Sequence, residues 1–99
     1  MFFIYILKSE KSDKYYIGHT DNPKRRINEH NESSHLTFTS KHRPWKLMAH
    51  IPISENRSEA MVVEKYIKGR KSKKFIEEII LNQSDVTFIE KLKRFSSVG

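Results

Sequence analysis

The sequence lacks cysteine, internal repeats, low-complexity tracts and any apolar run long enough to cross a membrane. Without cysteine, a disulfide framework and a cysteine-based zinc site are both excluded. The five histidines show no spacing typical of metal ligands. The apolar start, Met1 to Lys8, is short and has neither a basic leader nor a small-residue cleavage site, so it indicates a strand and not a signal peptide. We expect a cytoplasmic protein with no membrane partner.

Acidic residues are also in deficit, because 19 Lys and Arg face 12 Asp and Glu and give a net charge of +7. A chain of 99 residues forms one domain with a modest core. Six of the ten residues from Lys65 to Lys74 are basic. Such a cluster suits a polyanionic partner, but a solvated helix end has the same composition, so this run alone leaves both interpretations open.

The first twenty residues predict a β-hairpin. Phe2 to Leu7 is a continuous apolar run, and Lys14 to Thr20 is again rich in aromatic and β-branched residues. The polar connection between them is short, as in a hairpin. If the loop spans residues 9–12, Tyr5 lies directly opposite Tyr16.

The rest of the chain predicts one more strand and several helices. Trp45 to Ile53 is typical of a strand, and Pro52 indicates either a sheet edge or the end of the strand. Helices are predicted from Pro23 to about Asn31, from an Asn56 capping box to Arg70, from Ser72, and from Ser84 or Asp85, with a loop over residues 32–44 and fraying over residues 96–99. We expect an α+β fold, a three-stranded and mainly antiparallel sheet flanked by helices. The domain would span residues 1–83, and a C-terminal helix with its tail would span residues 84–99.

The helix predicted after Asn22 and Pro23 is poorly suited to packing. These two residues are typical of a helix start, but Ile27 is the only large aliphatic residue that follows. Arg26 and His30 lie four residues apart and therefore share one face. A positive pair beside a tyrosine-bearing strand suits a phosphate better than a core.

Glu64 has two interpretations. It lies on or beside the apolar stripe of its helix, where glutamate is almost never buried without a partner. It is either a carboxylate at the core edge paired with Lys68, which the spacing alone favours, or a metal ligand directed at the hairpin. Composition likewise favours packing roles for Tyr5 and Tyr16.

The order of these motifs resembles the GIY-YIG nuclease family, in particular its small stand-alone bacterial members. The resemblance covers about residues 2–81, and Phe3 replaces the first glycine of the name-giving motif. It rests on Phe3-Ile4-Tyr5, Tyr15-Tyr16-Ile17-Gly18, Thr20, Arg26, His30, Arg43-Pro44-Trp45, Ser58-Glu59-Ala60 and Glu64.

The resemblance implies an endonuclease that hydrolyses DNA phosphodiesters with one divalent ion per site, Mg²⁺ or Mn²⁺. Glu64 would be the only protein ligand of that ion, since Mg²⁺ keeps several waters. Tyr16, helped by Arg26, would activate the attacking water, and Tyr5 would hydrogen-bond the water or the phosphate. Arg26 would stabilise phosphoryl charge, and His30 would orient groups or assist proton transfer.

The expected DNA contacts are basic side chains, and no base-reading element accompanies them. Cutting with little sequence specificity is therefore expected, and structure-specific cutting in DNA repair stays open. The sequence leaves open whether the substrate is single-stranded, branched or duplex DNA, or RNA. It also leaves the oligomeric state open. The alternative is a non-catalytic nucleic-acid-binding module, which the filled set of polar positions disfavours. The expected contact residues are Lys24, Arg25, Lys41, Arg43, Lys68, Arg70, Lys71, Lys73 and Lys74.

Overall fold

A three-stranded antiparallel sheet forms the centre of the protein. The structure, a computed structural model, describes residues 1–32 and 41–98. The strands are β1 (Phe2–Ser9), β2 (Tyr15–Thr20) and β3 (Trp45–Ser54), in the order β2-β1-β3 with both pairs antiparallel. The helices of the described ranges are α1 (Pro23–Glu32), α2 (Arg57–Arg70), α3 (Lys73–Leu81) and α4 (Val86–Val98). The predicted α+β fold is confirmed.

The central strand β1 is buried on both faces, which explains its unbroken apolar sequence. Ile4 and Ile6 point to one face, where they pack with α2, α3 and α4. Tyr5 and Leu7 point to the other, which Trp45 and α1 cover. None of the helices in the two described ranges has the length and apolar content that a membrane crossing needs.

The predicted hairpin is confirmed, but its register is wrong by two residues. Tyr5 pairs with Gly18, and Leu7 pairs with Tyr16. The turn lies one residue further along the chain than expected, because β1 continues to Ser9, whose N–H donates to the carbonyl of Lys14. The Ser9 hydroxyl accepts hydrogen bonds from two backbone amides of the loop. A shift of two residues keeps every side chain on its predicted face. Tyr5 and Tyr16 are therefore diagonal neighbours, with ring centroids 6.2 Å apart.

The helix starts follow the predicted caps with one difference. The side chains of Asn22 and Ser72 accept hydrogen bonds from backbone amides three residues ahead. Asn56 Oδ1 accepts from the backbone N–H of Ser58, while the N–H of Asn56 donates to Ser54 Oγ. Asn56 thus caps α2, but the reciprocal bond of a capping box goes to Ser54 and not to the residue at the third helical position.

The C-terminal helix is longer than predicted. Asp85 caps it through a hydrogen bond from the N–H of Phe88, and the helix continues to Val98. The predicted fraying is wrong for residues 96–98, because they are helical, Ser96 is buried and its hydroxyl donates to the carbonyl of Leu92. Residue 99 lies outside the described residues. The predicted loop over residues 32–44 lies largely outside the described residues, and Glu32 belongs to α1.

Candidate active site

The side chain of Tyr5 lies beneath α1, and Gly18 makes room for it. Tyr5 is only 1% exposed. A Cβ on Gly18, its direct cross-strand partner, would lie 2.4 Å from the Tyr5 hydroxyl and 2.6 Å from Cζ. Even an alanine at this position would therefore displace the ring. The close approach that a glycine within a strand predicts is the approach of Tyr5.

The Tyr5 hydroxyl connects the sheet to Arg26 on α1. Arg26 Nε donates to the hydroxyl over 3.2 Å, and Arg26 Nη1 donates to Glu29 over 3.0 Å. Burial raises the pKa of Tyr5 to about 12 despite the hydrogen bond from Arg26, so the phenol keeps its proton at neutral pH. Partial burial disfavours charge on Arg26, but hydrogen bonds to Glu29 and Tyr5 outweigh burial and raise its pKa.

His30, one turn further along α1, is bonded to the same hydroxyl. Its Nε2 lies 3.0 Å from the Tyr5 oxygen, and the side chain is buried. Burial, together with the positive charges of Arg26 and Arg43, lowers the pKa of His30 to about 4. The imidazole is therefore neutral at pH 7, and the positive pair that the spacing suggested is reduced to the single charge of Arg26.

Tyr16 is half-buried beside His30, and its ring joins the two halves of the site. The ring centroids of Tyr16 and His30 are 4.6 Å apart. Lys68 of α2 places its Nζ 5.6 Å from the centre of the Tyr16 ring, within cation–π distance. The same ammonium donates to Glu64 Oε2 over 2.8 Å. Tyr16 is thereby linked to the carboxylate through one lysine.

Glu64 is an ionised carboxylate with a different partner on each oxygen. Oε1 is 2.7 Å from His19 Nδ1, and Oε2 accepts from Lys68. Burial disfavours the charged form of Glu64, but the hydrogen bonds to Lys68 and His19 outweigh it and hold the pKa below its ordinary value. The structure therefore contains both arrangements weighed for this residue, the pairing with Lys68 and the orientation toward the hairpin.

The candidate residues surround the outer edge of β2 and do not share one face of the sheet. Tyr5 and Tyr16 lie on the face that α1 covers. Glu64 extends from α2, which packs on the opposite face through Ala60, Val63 and Ile67. These residues therefore approach the edge of the sheet from both of its faces. β2 is an edge strand in the described sheet, so groups from both faces can meet there.

The donor set at Glu64 fits a hard divalent cation held mainly by water and substrate. In residues 1–32 and 41–98, no three His, Asp or Glu side chains cluster closely enough to hold an ion by themselves. A single ionised carboxylate suits Mg²⁺, which typically binds through one or two carboxylates, substrate phosphate and several waters. The Lys68 ammonium on Oε2 would have to move aside, and its exposed position permits that.

Comparison with known protein families shows the family to which this chain belongs. The sequence matches the family described as the GIY-YIG catalytic domain over residues 1–77. The chain belongs to this family. The search of curated proteins found no match. GIY-YIG membership makes this protein part of a nuclease family that acts on nucleic acid and typically depends on a metal ion.

The two halves of the GIY-YIG motif are adjacent in this structure. Tyr5, the last residue of Phe3-Ile4-Tyr5, pairs with Gly18, the last residue of Tyr16-Ile17-Gly18, so the second motif's glycine faces the first motif's tyrosine. Phe3, at the position of the missing glycine, packs its ring against His50 with centroids 5.8 Å apart. A side chain is tolerated at this position because it is directed at β3 and not at Tyr5.

The basic residues predicted as DNA contacts are mostly exposed, but several are engaged. An open groove of about 420 Å³ extends from Tyr16 and Lys68 to the α2–α3 junction. Lys73 in this groove is paired with Asp13 of the hairpin loop. Arg43 is half-buried and donates to the carbonyl of His30. The exposed members of the predicted set are Lys24, Arg25, Lys41, Lys68, Arg70, Lys71, Lys73 and Lys74.

Sequence reasoning missed His19. It lies three residues after Tyr16 and so points to the other face of β2, which made it look unrelated to the tyrosines. Only the packing of α2 against that face brings Glu64 within hydrogen-bond distance of it. The pattern of the strand predicts the face of His19 but offers no signal for its partner.

Proposed function

We propose that this GIY-YIG protein is a metal-dependent endonuclease that hydrolyses DNA phosphodiester bonds with little sequence specificity. The observation that carries the proposal is the linked series from Arg26 through Tyr5, Tyr16 and Lys68 to the ionised Glu64. This series connects the fixed positive charge of Arg26 to the carboxylate of Glu64, which is suited to bind a cation, across the edge of β2. Phosphodiester hydrolysis needs both kinds of charge.

Arg26 would supply positive charge to the phosphoryl oxygens. Its guanidinium is partly exposed, while its Nε is held by the buried Tyr5 hydroxyl and its Nη1 by Glu29. A donor held in place before the substrate arrives stabilises developing negative charge without reorganisation. At 1% exposure, Tyr5 is better suited to position Arg26 and His30 than to contact substrate directly.

Tyr16 is the more accessible tyrosine and would contact the attacking water. In the hydrolysis, a water oxygen forms a bond to phosphorus, one bridging P–O bond breaks, and the departing oxygen gains a proton. Neutral His30, packed against the Tyr16 ring, would keep that ring in place. Glu64 would hold the cation, which when bound would supply Lewis-acid stabilisation of the phosphate charge. Lys68, released from Glu64, would be free to contact phosphate.

The basic surface supports binding to the nucleic-acid backbone. The groove beyond Tyr16 carries Lys14, Lys68, Lys71 and Lys73. Lysine contacts to phosphate carry no base information, and the sequence contains no recognisable base-reading motif. The second candidate function, a non-catalytic nucleic-acid-binding module, would use the same surface.

The deciding test is cleavage of labelled DNA with Mg²⁺, with Mn²⁺ and with chelator, for the parent and for Glu64→Gln. We expect Glu64→Gln to abolish cleavage while leaving DNA affinity within a few-fold of the parent, because it keeps the volume of the side chain but loses its charge. Glu59→Gln, an exposed change on the same helix, is the matched control and should cleave like the parent.

The outcomes separate the two candidate functions. Chelator-sensitive cleavage that Glu64→Gln removes supports the endonuclease. Salt-sensitive binding without cleavage at any metal concentration supports the binding module. Turnover of Glu64→Gln within a few-fold of the parent would remove this residue from the mechanism. A panel of single-stranded, duplex, flap and junction DNA, with matching RNA, would identify the preferred substrate.

A further inference from the structure

His19 joins the strand that carries Tyr16 to the carboxylate of Glu64. Its Nδ1 is 2.7 Å from Glu64 Oε1, and both side chains are largely shielded, at 18% and 20% exposure. On its other side, His19 Nε2 is 3.3 Å from Arg57 Nη1. A guanidinium can only donate hydrogen bonds, so Nε2 accepts. The ring proton therefore lies on Nδ1, which donates to Glu64.

The two oxygens of Glu64 are held with unequal firmness. The bond from His19 to Oε1 connects two elements, β2 and α2, and is partly shielded from solvent. The bond from Lys68 to Oε2 lies within α2, one turn apart, and the lysine side chain is 48% exposed. Exposed pairs of this spacing contribute only a few tenths of a kcal/mol. Oε2 is consequently the oxygen that can change its partner.

We propose that His19 is a positioning residue that holds Glu64 Oε1, so that Oε2 is presented to a divalent cation once Lys68 gives way. The inference rests on the proposed function, since it requires Glu64 to bind a cation. Hydrogen bonds to metal-ligating carboxylates orient the ligand, and their loss typically lowers metal affinity 10- to 100-fold. Because His19 is on the same strand as Tyr16, the same bond also sets the carboxylate in place relative to that tyrosine.

The test measures Mn²⁺ binding to the purified full chain by electron paramagnetic resonance, with no substrate present. We expect His19→Ala to raise the Kd for Mn²⁺ by about tenfold or more. His19→Asn, whose amide N–H₂ can reach the position of Nδ1, should restore the Kd to within a few-fold of the parent. Lys68→Met should lower the Kd, because it removes the group that competes for Oε2.

A second measurement separates positioning from simple loss of structure. Cleavage is followed as a function of Mn²⁺ concentration. His19→Ala should shift the half-saturating concentration upward while the rate at saturating Mn²⁺ recovers to within a few-fold. A residue important only for folding would lower the rate at every concentration, and that result would overturn the inference.

The Glu64→Gln variant distinguishes failure of the proposed cation-binding role of Glu64 from failure of the positioning role of His19. If Glu64→Gln binds Mn²⁺ as tightly as the parent, the proposed role of Glu64 fails, and the inference about His19 fails with it. If Glu64→Gln loses binding but His19→Ala does not, only the positioning role is refuted. A His19→Asn variant that binds no better than His19→Ala would also refute it, because the hydrogen bond would then not be what matters.

Discussion

At the scale of single residues, the site depends on a contact between Tyr5 and the bare backbone of Gly18. The absence of a side chain at Gly18 lets the Tyr5 ring cross β2 and present its hydroxyl to α1. That hydroxyl then binds both Arg26 and His30. One glycine thus allows three polar side chains to converge, although its own backbone conformation is ordinary.

We predict that Gly18→Ala destabilises the protein by about 1–3 kcal/mol, the usual cost of overpacking a buried site. The reason is the 2.4 Å approach that the new Cβ would make to the Tyr5 hydroxyl. Gly69→Ala is the matched control, because nothing lies within 4 Å of its Cβ position and Gly69 is inside α2. It should stabilise by about 0.5–1 kcal/mol. Urea unfolding measures the free energy of unfolding of both variants. If both substitutions changed it in the same direction, the prediction would be contradicted.

Arg25 and Arg26 are neighbours in sequence with different expected roles. We predict that Arg26→Ala lowers kcat by about 10²- to 10³-fold with little change in DNA affinity, as expected for a donor to developing charge. Arg25 is ion-paired with Asp21 on the exposed side of α1, so Arg25→Ala should affect affinity slightly and kcat little. Single-turnover kinetics and DNA binding measure the two effects. A larger loss of kcat for Arg25→Ala would reverse the assignment.

The buried neutral His30 predicts a pH dependence of stability. Its pKa is about 4 in the folded protein and about 6.5 when unfolded, so the unfolded chain binds more protons between these values. The contribution of neutral His30 to the free energy of unfolding is fully present above pH 6.5. It is lost as the pH falls toward 4, by about 3 kcal/mol at most. His30→Gln should remove this part of the slope in urea unfolding at pH 7 and pH 4.5. Parallel pH profiles for parent and variant would refute it.

At the scale of elements, the junction between α2 and α3 is short and conformationally demanding. Lys71 ends α2 in the left-handed region with φ 48°, and its N–H donates to the carbonyl of Lys68. Ser72 follows directly and caps α3. The two helices are therefore joined by Lys71 and Ser72 alone. This places the ends of both beside the groove that begins at Tyr16.

We predict that Lys71→Gly stabilises the protein by about 0.5–1 kcal/mol, because glycine adopts a positive φ without the cost that a Cβ brings. Lys71→Ala removes the same charge but keeps the Cβ, so it should bring no such gain. Thermal or urea unfolding compares the two. Equal stabilities for the glycine and alanine variants would show that charge, and not backbone conformation, decides the effect.

At the scale of the whole molecule, one groove carries four of the 19 basic residues, namely Lys14, Lys68, Lys71 and Lys73. Lys73 is tied to Asp13, whereas Lys71 and Lys74 form no ion pair with any residue of the described ranges. Reversing the charge of Lys73 would thus also disturb the hairpin loop. Lys71 and Lys74 offer a cleaner test of backbone binding. The division of the chain at residue 83 stays a prediction at this scale.

We predict that DNA affinity falls linearly with salt on logarithmic axes and that Lys71→Glu with Lys74→Glu flattens the slope by about 1–2. Lys91→Glu with Arg94→Glu, on α4 and outside the family match, changes the net charge equally and should leave the slope near that of the parent. Fluorescence anisotropy at several salt concentrations, with a scrambled DNA sequence as comparison, provides the measurement. A salt-insensitive affinity or a strong sequence preference would contradict the proposed backbone binding.

The sequence by itself determined the elements and the chemistry they carry. Hydrophobic periodicity and capping residues were sufficient to predict the hairpin, the edge strand and the helix after Asn22. These elements depend on local backbone preferences and on which of their faces must be apolar. The spacing of Arg26 and His30 placed both on one helix face, and the structure brings both to Tyr5. Such relations hold within one element and need no knowledge of its neighbours.

Only the tertiary structure decided what depends on contact between elements. The pairing of Tyr5 with Gly18 followed from a turn that the Ser9 hydroxyl closes, which strand patterns do not encode. The neutrality of His30 came from burial and from nearby arginines brought by packing. The meeting of His19 with Glu64 required α2 to lie across β2, residues 45 positions apart in the chain. Side-chain charge and partnership are properties of the assembled environment, so local sequence could name Tyr5, His30 and Glu64 without assigning their partners, and it did not indicate His19.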